Sequence, residues 1–368
     1  MAIRTIKIQD HFKLKQGPVN PGDSVPDEVD EENVELVHSH EISAILTEPF
    51  IHSGYRPPYK SRLYYLRSFF QLHNESVNVW SHFLSAIIVL YNLAAFLLTE
   101  ADWKDSHYLV VIMLAMGGFE TSFFSSIAHL LHAQSEYYHF RYFQLDYLGL
   151  TLTFQTVGLY YTFFLASDTF YAWNGEFYLA IALVVMCFTS FALLVVGKLY
   201  LPPDSKHRLV INIVLGVTLG VLAGIPGFFR IYEIFDRGHW RNLMTEVLPH
   251  VLDYVLLICG AIFYGKRIPE RFWPGSFDFF GHGHQIFHIF LGMLYVYQIV
   301  RARALYVLRS QNKSFFNWKP KWGAEATFLN TVFPHMTLLF MQLLFIVSVD
   351  DMTKMIADHQ KKQKGKAV

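Results

Sequence analysis

The run FYLAIALVVMCFTSFALLVV, residues 177–196, contains twenty consecutive residues without a charged side chain. A helix of about 20 apolar residues is long enough to cross the hydrocarbon core of a bilayer. Further runs of similar length and character lie on both sides of it. The predicted spans are Val79–Leu98, Tyr108–His129, Tyr147–Ala166, Phe177–Val196, Leu209–Phe229, Val247–Tyr264, Ile286–Val307 and Phe328–Val349. The sequence therefore predicts an all-α, polytopic membrane protein.

The composition agrees with residence in a bilayer. Hydrophobic residues make up 53% of the 368 residues and charged residues only 16%, whereas soluble domains carry about 25% charged residues. The formal net charge is zero, which argues against a nucleic-acid partner. The two cysteines, Cys187 and Cys259, both lie in apolar runs, so no disulfide framework is expected.

The spans and the charges divide the chain into segments. Residues 1–50 are polar and acidic and lack the apolar core of a signal peptide, so we expect a cytoplasmic N-terminal tail followed by a first span that inserts the chain. The other predicted segments are a juxtamembrane or interfacial segment at 51–78, a seven-span core at 79–307, a loop at 308–327, an eighth span at 328–349 and a basic tail at 350–368.

Lys and Arg in the short loops set the orientation of a polytopic protein. Their distribution over the first six spans places the N-terminus in the cytoplasm, and we expect a multi-pass protein of the plasma membrane. The loop after the seventh span disagrees, because it is rich in Lys and Arg yet would lie outside. The glycosylation sequon Asn312-Lys313-Ser314 in that loop fits the same orientation.

One candidate site joins the second and third spans. Ser125 and His129 lie one turn apart near the end of the second span, and Asp146 lies at the start of the third. Because these two spans form a hairpin, His129 and Asp146 are expected at similar depth. A histidine at a helix end is also common as a simple interfacial side chain, so this cluster alone does not establish a ligand.

A histidine pair opens the seventh span at the same depth. His284 and His288 are four residues apart, and such residues project from one face of a helix with Cβ atoms about 6 Å apart. That separation suits two imidazoles on one tetrahedral metal ion. With His129, they form a predicted three-histidine Zn²⁺ site with an open fourth position.

The role of such a site has two interpretations. Three histidines and an open position are typical of catalytic zinc, in which case Asp146 would orient a water or act as a base, and Ser125 would bond to that group. Alternatively, the metal ion only fastens the helices together, as a protein without disulfides could require.

Polar residues also occur inside or next to the predicted spans, where burying an ionisable group costs free energy. Glu75, Asn78 and His82 follow one helical face leading into the first span; they either bond to neighbouring helix ends or form a solvated turn. A second set at membrane depth either lines a ligand cavity or is mutually hydrogen-bonded. Its members are Glu120, Gln155, His250 and Asp253. Two loop histidines are expected to be solvated, and these are His132 and His139.

Four motifs, taken together, resemble the progestin and adipoQ receptor family. The motifs are Glu75-x-x-Asn78-x-x-x-His82, Ser125-x-x-x-His129, Leu145-Asp146-Tyr147 and Gly283-His284-Gln285-Ile286-Phe287-His288. The resemblance extends from Ile51 to Val347 and is strongest to the membrane progestin receptor branch, which an eighth span also suits. The strings that support this branch are Gly54-Tyr55-Arg56-Pro57, His73-Asn74-Glu75-Ser76-Val77-Asn78-Val79-Trp80, Ala128-His129-Leu130-Leu131 and Pro274-Gly275-Ser276.

This resemblance implies a seven-helix bundle with a cytoplasmic N-terminus and zinc bound by His129, His284 and His288, with Asp146 and Ser125 beside it. It leaves the function open between two classes. One is a receptor for a progestin-type steroid that gives rapid, non-genomic signalling through G proteins or other cytoplasmic adaptors. The other is a zinc-dependent amidase acting on a ceramide-like sphingolipid in the bilayer. A purely structural zinc remains the third interpretation.

Overall fold

The computed structural model describes residues 35–202, 205–238, 240, 243–311 and 324–366. Over these residues the fold is all-α, and the only extended pairing is an isolated bridge between Val37 and Tyr55. The helices are α1 (Arg62–Arg67), α2 (Ser76–Thr99), α3 (Tyr108–Leu131), α4 (Glu136–Phe164), α5 (Asp168–Ala172), α6 (Gly175–Tyr200), α7 (Lys206–Asp236), α8 (Leu248–Lys266), α9 (Gly283–Gln311), α10 (Ala324–Ser348) and α11 (Asp350–Lys366). The sequon at residues 312–314 and most of the predicted 308–327 loop lie outside the described residues.

Six of the described helices are long and apolar enough to cross a membrane. They are Ser76–Thr99, Tyr108–Gln134, Gly175–Tyr200, Lys206–Asp236, Leu248–Lys266 and Leu329–Ser348. These six correspond to the predicted first, second, fourth, fifth, sixth and eighth spans, and they establish a multi-pass membrane protein. The predicted third and seventh spans lie in α4 and α9, each 29 residues long. For those two helices, and for the total of eight, crossing the bilayer stays a prediction.

Helix α4 is less apolar because it faces protein rather than lipid. Every residue from Thr151 to Thr162 is buried, so the helix is enclosed on all sides by its neighbours. Threonine and glutamine side chains are tolerated there because other helices supply hydrogen-bond partners. Thr153 Oγ1 donates to the Gly117 carbonyl of α3 at 2.7 Å. Helix α4 is therefore the centre of the bundle.

Glycines bring α3 and α4 into close contact. A Cβ added to Gly149 would come within 2.7 Å of Thr121 Cα, and one added to Gly117 within 3.2 Å of Thr153 Cα. Small residues at helix interfaces allow such backbone approach in membrane proteins. The resulting hairpin fixes the end of α3, which carries His129, against the beginning of α4.

Helix α10 packs against the bundle. Leu338, Ile346 and Val349 belong to one buried cluster with side chains of α4 and α6, including Leu152 and Phe191. Tyr137 then donates to Asp350 Oδ1 at 3.0 Å. Helix α10, which contains the predicted eighth span, is thus an integral part of the described fold. The segment predicted as a basic tail continues as α11 to Lys366.

Candidate metal centre

Three histidines from two helices meet at one end of the bundle. The ligand atoms of His129, at the end of α3, and of His284 and His288, in the first turns of α9, all lie within 4.8 Å of one another. The ring centroids are 5.0 Å apart for His129 and His284 and 4.7 Å apart for each of the other pairs. The structure therefore assembles the predicted triad in a geometry that can hold one metal ion.

Hydrogen bonding at the start of α9 positions its two histidines. The Gly283 backbone N–H donates to Glu270 Oε2 at 2.7 Å. Gln285 lies between the two histidines in sequence, and its amide donates to the Asn74 carbonyl at 3.1 Å. Gln285 is fully buried. These contacts tie the first turn of α9 to the segment that precedes α2.

The ring nitrogens indicate that the site suits a metal ion. His129 Nε2 and His288 Nδ1 are buried without a hydrogen-bond partner, although buried polar atoms are nearly always paired. His129 Nδ1 lies 2.8 Å from Glu75 Oε2. Since a carboxylate only accepts, Nδ1 carries the proton and Nε2 presents its lone pair to the centre. Neutral imidazoles in threes are a typical zinc donor set.

Glu75 connects the third predicted cluster to the centre. Its Oε2 accepts from His129 Nδ1 and also from Asn78 Nδ2 at 2.6 Å. A carboxylate behind a ligating histidine fixes the tautomer and orientation of the ring. Of the two interpretations of this cluster, the structure thus supports bonding to a neighbouring helix end rather than a solvated turn, because Glu75 and Asn78 are both buried.

His82, the third residue of that face, lies directly against the triad. Its ring is 4.1 Å from that of His288 and nearly perpendicular to it. Both His82 nitrogens are buried without a hydrogen-bond partner. Ser125 lies beside the Asp146 carboxylate, and that carboxylate acts electrostatically on His129.

A second group of potential ligands consists of Glu75, His129 and His132. We favour the three-histidine group as the metal centre, because Glu75 and His129 already bond to each other in the second. His132 Nδ1 is 3.1 Å from His139 Nδ1, and both rings are buried. The prediction that these two histidines are solvated is therefore wrong. The segment before α1 covers the connection, with the Tyr59 N–H donating to the Gln134 carbonyl at 2.9 Å.

Arg56 is a supporting residue whose role the sequence did not reveal. The residue is 2% exposed, and its guanidinium donates to the carbonyls of His129 at 2.8 Å and Leu130 at 2.6 Å. It therefore satisfies the free carbonyls at the end of α3 and places a positive charge at the negative end of the helix dipole. Burial lowers the pKa of Arg56 to about 10, so it stays cationic at neutral pH.

The polar residues predicted at membrane depth form two separate groups. Glu120 and Gln155 bind His335 of α10, whose Nδ1 is 3.0 Å from Gln155 Oε1 and whose Nε2 is 3.3 Å from Glu120 Oε1. The sequence analysis did not identify His335 as a candidate site residue, although it lies within the eighth predicted span.

The second group lies between α4 and α8. Asp253 accepts from Tyr161 at 2.6 Å, and His250 packs against the same tyrosine with ring centroids 5.0 Å apart. Of the four predicted residues, only Asp253 lines the cavity that α4, α7, α8 and α9 enclose.

Known proteins match most of the chain. Residues 70–299 match the family model described as "Haemolysin-III related". "Membrane progestin receptor alpha" of Homo sapiens is 33% identical over 265 residues, which is 71% of this chain and 74% of that protein. "Membrane progestin receptor alpha-B" of Danio rerio is 32% identical over 289 residues, covering 78% and 81%. "Membrane progestin receptor beta" of Sus scrofa is 33% identical over 264 residues, covering 70% and 73%.

Proposed function

The chain belongs to the haemolysin-III-related family, the progestin and adipoQ receptor family, and from that premise we propose that it is a membrane receptor for a progestin-type steroid with a zinc ion bound by His129, His284 and His288. The observation that carries the proposal is the triad itself: its ligand atoms lie within 4.8 Å of one another, and His129 Nε2 and His288 Nδ1 are buried without a hydrogen-bond partner. The names of relatives similar over about 70% of the chain support the steroid class.

Several residues of the chain have defined tasks in this proposal. Glu75 holds the Nδ1–H tautomer of His129 and so keeps Nε2 available to the metal ion. Arg56 fixes the carbonyl end of α3, on which His129 lies. When bound, zinc supplies a Lewis acid and one open coordination position. The receptor lies in the plasma membrane with its N-terminus in the cytoplasm, and ligand binding is communicated to G proteins or other cytoplasmic adaptors.

Saturable steroid binding tests this proposal. Membranes from cells that express the wild-type chain should bind a radiolabelled progestin saturably, and His284→Ala should lose most of that binding at equal expression. The matched control is His207→Ala, because His207 is an exposed histidine far along the chain from the triad. Absence of saturable binding by the wild type, or unchanged binding by His284→Ala, would contradict the proposal.

The Ser125–Asp146 pair favours a second candidate, a zinc-dependent lipid amidase. The Asp146 carboxylate acts electrostatically on His129 of the triad and can accept a proton there, and in this candidate the neighbouring Ser125 hydroxyl orients it. Such an enzyme would release a fatty acid and a sphingoid base from a ceramide. Purified, zinc-loaded protein should then hydrolyse ceramide, and Asp146→Asn should abolish turnover while leaving the zinc bound. Zinc-loaded protein that turns over no ceramide would exclude this candidate.

A zinc ion with a purely structural role predicts different effects of substitution from those of the enzyme. In that case His288→Ala lowers thermal stability and steroid binding together, whereas Asp146→Asn leaves both intact. The two variants therefore separate a zinc ion that only holds helices together from one that takes part in chemistry.

A further inference from the structure

The side chains that connect Glu75 with His288 contain four buried polar atoms without a hydrogen-bond partner. These atoms are Asn78 Oδ1, both ring nitrogens of His82 and His288 Nδ1. Asn78, His82 and His288 are almost completely buried. Buried polar atoms are nearly always paired, and the exceptions in native proteins tend to lie at functional sites. Four unpaired atoms in neighbouring side chains therefore indicate a common role beside the triad.

Helix α2 presents the residues of its polar motif on one face. Asn78 Nδ2 donates to Glu75 Oε2 at 2.6 Å, and the amide oxygen of Asn78 is left as an unpaired acceptor. His82 follows Asn78 by four residues, so the two side chains are neighbours on the helix surface. A neutral imidazole has one N–H donor and one acceptor nitrogen. The N–H of His82 can therefore donate to Asn78 Oδ1.

Helix α9 brings His288 against the same face of α2. The ring centroids of His82 and His288 are 4.1 Å apart, and the rings are nearly perpendicular. One turn further along both helices, the Ser85 hydroxyl donates to the Gly292 carbonyl at 3.3 Å. A Cβ added to Gly292 would lie 3.2 Å from Ser85 Oγ. The two helices are thus in close contact, and this contact keeps His82 beside His288.

A histidine that binds a metal ion needs a partner for its second nitrogen. Such a ring binds the ion through one nitrogen and almost always donates the N–H of the other to an acceptor. For His129 this acceptor is Glu75. For His288, the ring of His82 lies in contact and carries an unpaired acceptor nitrogen. His82 is neutral there, because a charged ring would lose its hydration and be repelled by the ion.

We propose that Asn78 and His82 extend the hydrogen bonding of Glu75 to His288, so that one face of α2 positions two metal ligands. His288 donates to His82, and His82 donates to Asn78 Oδ1. Both bonds require the His82 ring to turn from its present edge-to-face contact. The unpaired atoms of Asn78 and His82 are then all used, whichever nitrogen of His288 donates. His82 is a positioning residue that acts through His288, and this inference rests on the proposed zinc centre.

The experiment compares the zinc affinity of full-length wild type and His82→Phe by competition with a zinc-binding dye. Phenylalanine keeps a ring at this place and removes both nitrogens. The affinity should fall about 10- to 100-fold, which is the typical effect of losing a group that supports a metal ligand. With zinc removed by a chelator, the thermal midpoint of His82→Phe should equal or exceed that of the wild type, because unpaired nitrogens are no longer buried.

Two further variants separate positioning from packing. His335→Phe is the matched control, because it makes the same change at a buried histidine whose nitrogens face Gln155 and Glu120. It should keep the zinc affinity and lower the thermal midpoint. His82→Gln retains a donor and an acceptor in its amide and should lose less than about tenfold in zinc affinity. A role of His82 in packing alone predicts equal zinc affinities for His82→Phe and the wild type.

Each outcome supports or overturns the inference. Unchanged zinc affinity in His82→Phe, or an equal loss in His82→Phe and His82→Gln, overturns it while the three-histidine centre stands. X-ray absorption that shows four imidazole ligands in the wild type also overturns it, because His82 would then bind the ion itself. Wild-type protein that binds no zinc overturns the proposed centre as well. If His82→Phe does not assemble, as judged by gel filtration, the smaller His82→Leu decides by the same loss of zinc affinity.

Discussion

Two sites in this molecule contain deeply buried histidines that differ in what their nitrogens contact. His129 and His288 of the triad are 1% and 2% exposed, and His335 of α10 is 3% exposed. In the triad, His129 Nε2 and His288 Nδ1 have no protein partner, whereas both nitrogens of His335 face a side-chain oxygen. Between these two sites, the unpaired nitrogens and not the burial distinguish the proposed metal ligands from His335.

The difference follows from what each site does for the fold. His335 joins α10 to Glu120 of α3 and Gln155 of α4, so its polar atoms are used to hold a helix in place. Helix α10 also lies beyond residues 70–299, the part of the chain that matches the family model. The triad brings the ligand atoms of α3 and α9 close together, and in our proposal a metal ion joins the two helices at this point. Substitutions at the two sites should separate metal binding from helix packing.

The largest effect is expected for His284→Ala. Removing one of three ligands should abolish stoichiometric zinc binding and, with it, the stability that zinc contributes, about 4 kcal/mol when zinc is 1,000-fold above its dissociation constant. Thermal unfolding with and without a chelator measures this. The wild type should be destabilised by the chelator and His284→Ala should not respond. A chelator response in the variant equal to that of the wild type would contradict the three-histidine site.

Glu75→Gln should weaken the site without destroying it. The amide no longer selects the Nδ1–H tautomer of His129 as strongly, and loss of such a supporting carboxylate typically lowers metal affinity about 10- to 100-fold. Competition with a zinc-binding dye gives the affinity. Glu120→Gln is the matched control, because this carboxylate contacts His335 instead. Equal zinc affinities for the two variants would mean that Glu75 does not support the centre.

His335→Ala should affect packing and leave the metal centre intact. It deprives Glu120 and Gln155 of a buried partner, which typically costs about 1–3 kcal/mol. We expect a lower thermal midpoint, a full complement of zinc and an unchanged zinc affinity. The exposed His207→Ala variant serves as the control for loss of a histidine. Loss of zinc in His335→Ala would show that the two sites are not independent.

The smallest effect is expected for Thr151→Val. Gln342 of α10 donates to Thr151 Oγ1 at 2.7 Å, and interhelical hydrogen bonds in membranes contribute about 0.6 kcal/mol on average. The change should lower the free energy of unfolding by about that amount and leave zinc content and ligand binding unchanged. A loss as large as that of His335→Ala would mean that the polar contacts of α10 act as one unit.

Local patterns allowed much of the fold and the triad to be predicted. Apolar run length predicts the six helices that the structure shows to be long and apolar enough to span a membrane. The spacing of His284 and His288 places both on one face of α9, and the hairpin of α3 and α4 brings Asp146 near His129. These inferences need only helix periodicity and chain direction. Periodicity and direction are fixed by residues close together in sequence.

Contacts between residues distant in sequence could not be predicted in the same way. Arg56 reaches the end of α3, 73 residues away, and His335 reaches Glu120 across 215 residues. No local period encodes either pairing. The sequence around His132 and His139 looks like a solvated polar connection, but both residues are buried, and an earlier segment folds over this region. Each of these depends on how the helices assemble.

The most direct test of the proposed centre is zinc content combined with X-ray absorption at the zinc edge, measured on purified wild-type protein and on the His284→Ala and His335→Ala variants. We expect one zinc per chain in the wild type, with three imidazole nitrogens at about 2.0–2.1 Å and one oxygen completing the coordination. His335→Ala should give the same spectrum, and His284→Ala should contain no stoichiometric zinc. A wild-type protein without zinc, or a His284→Ala variant that keeps both the zinc and its spectrum, would contradict the proposed metal centre.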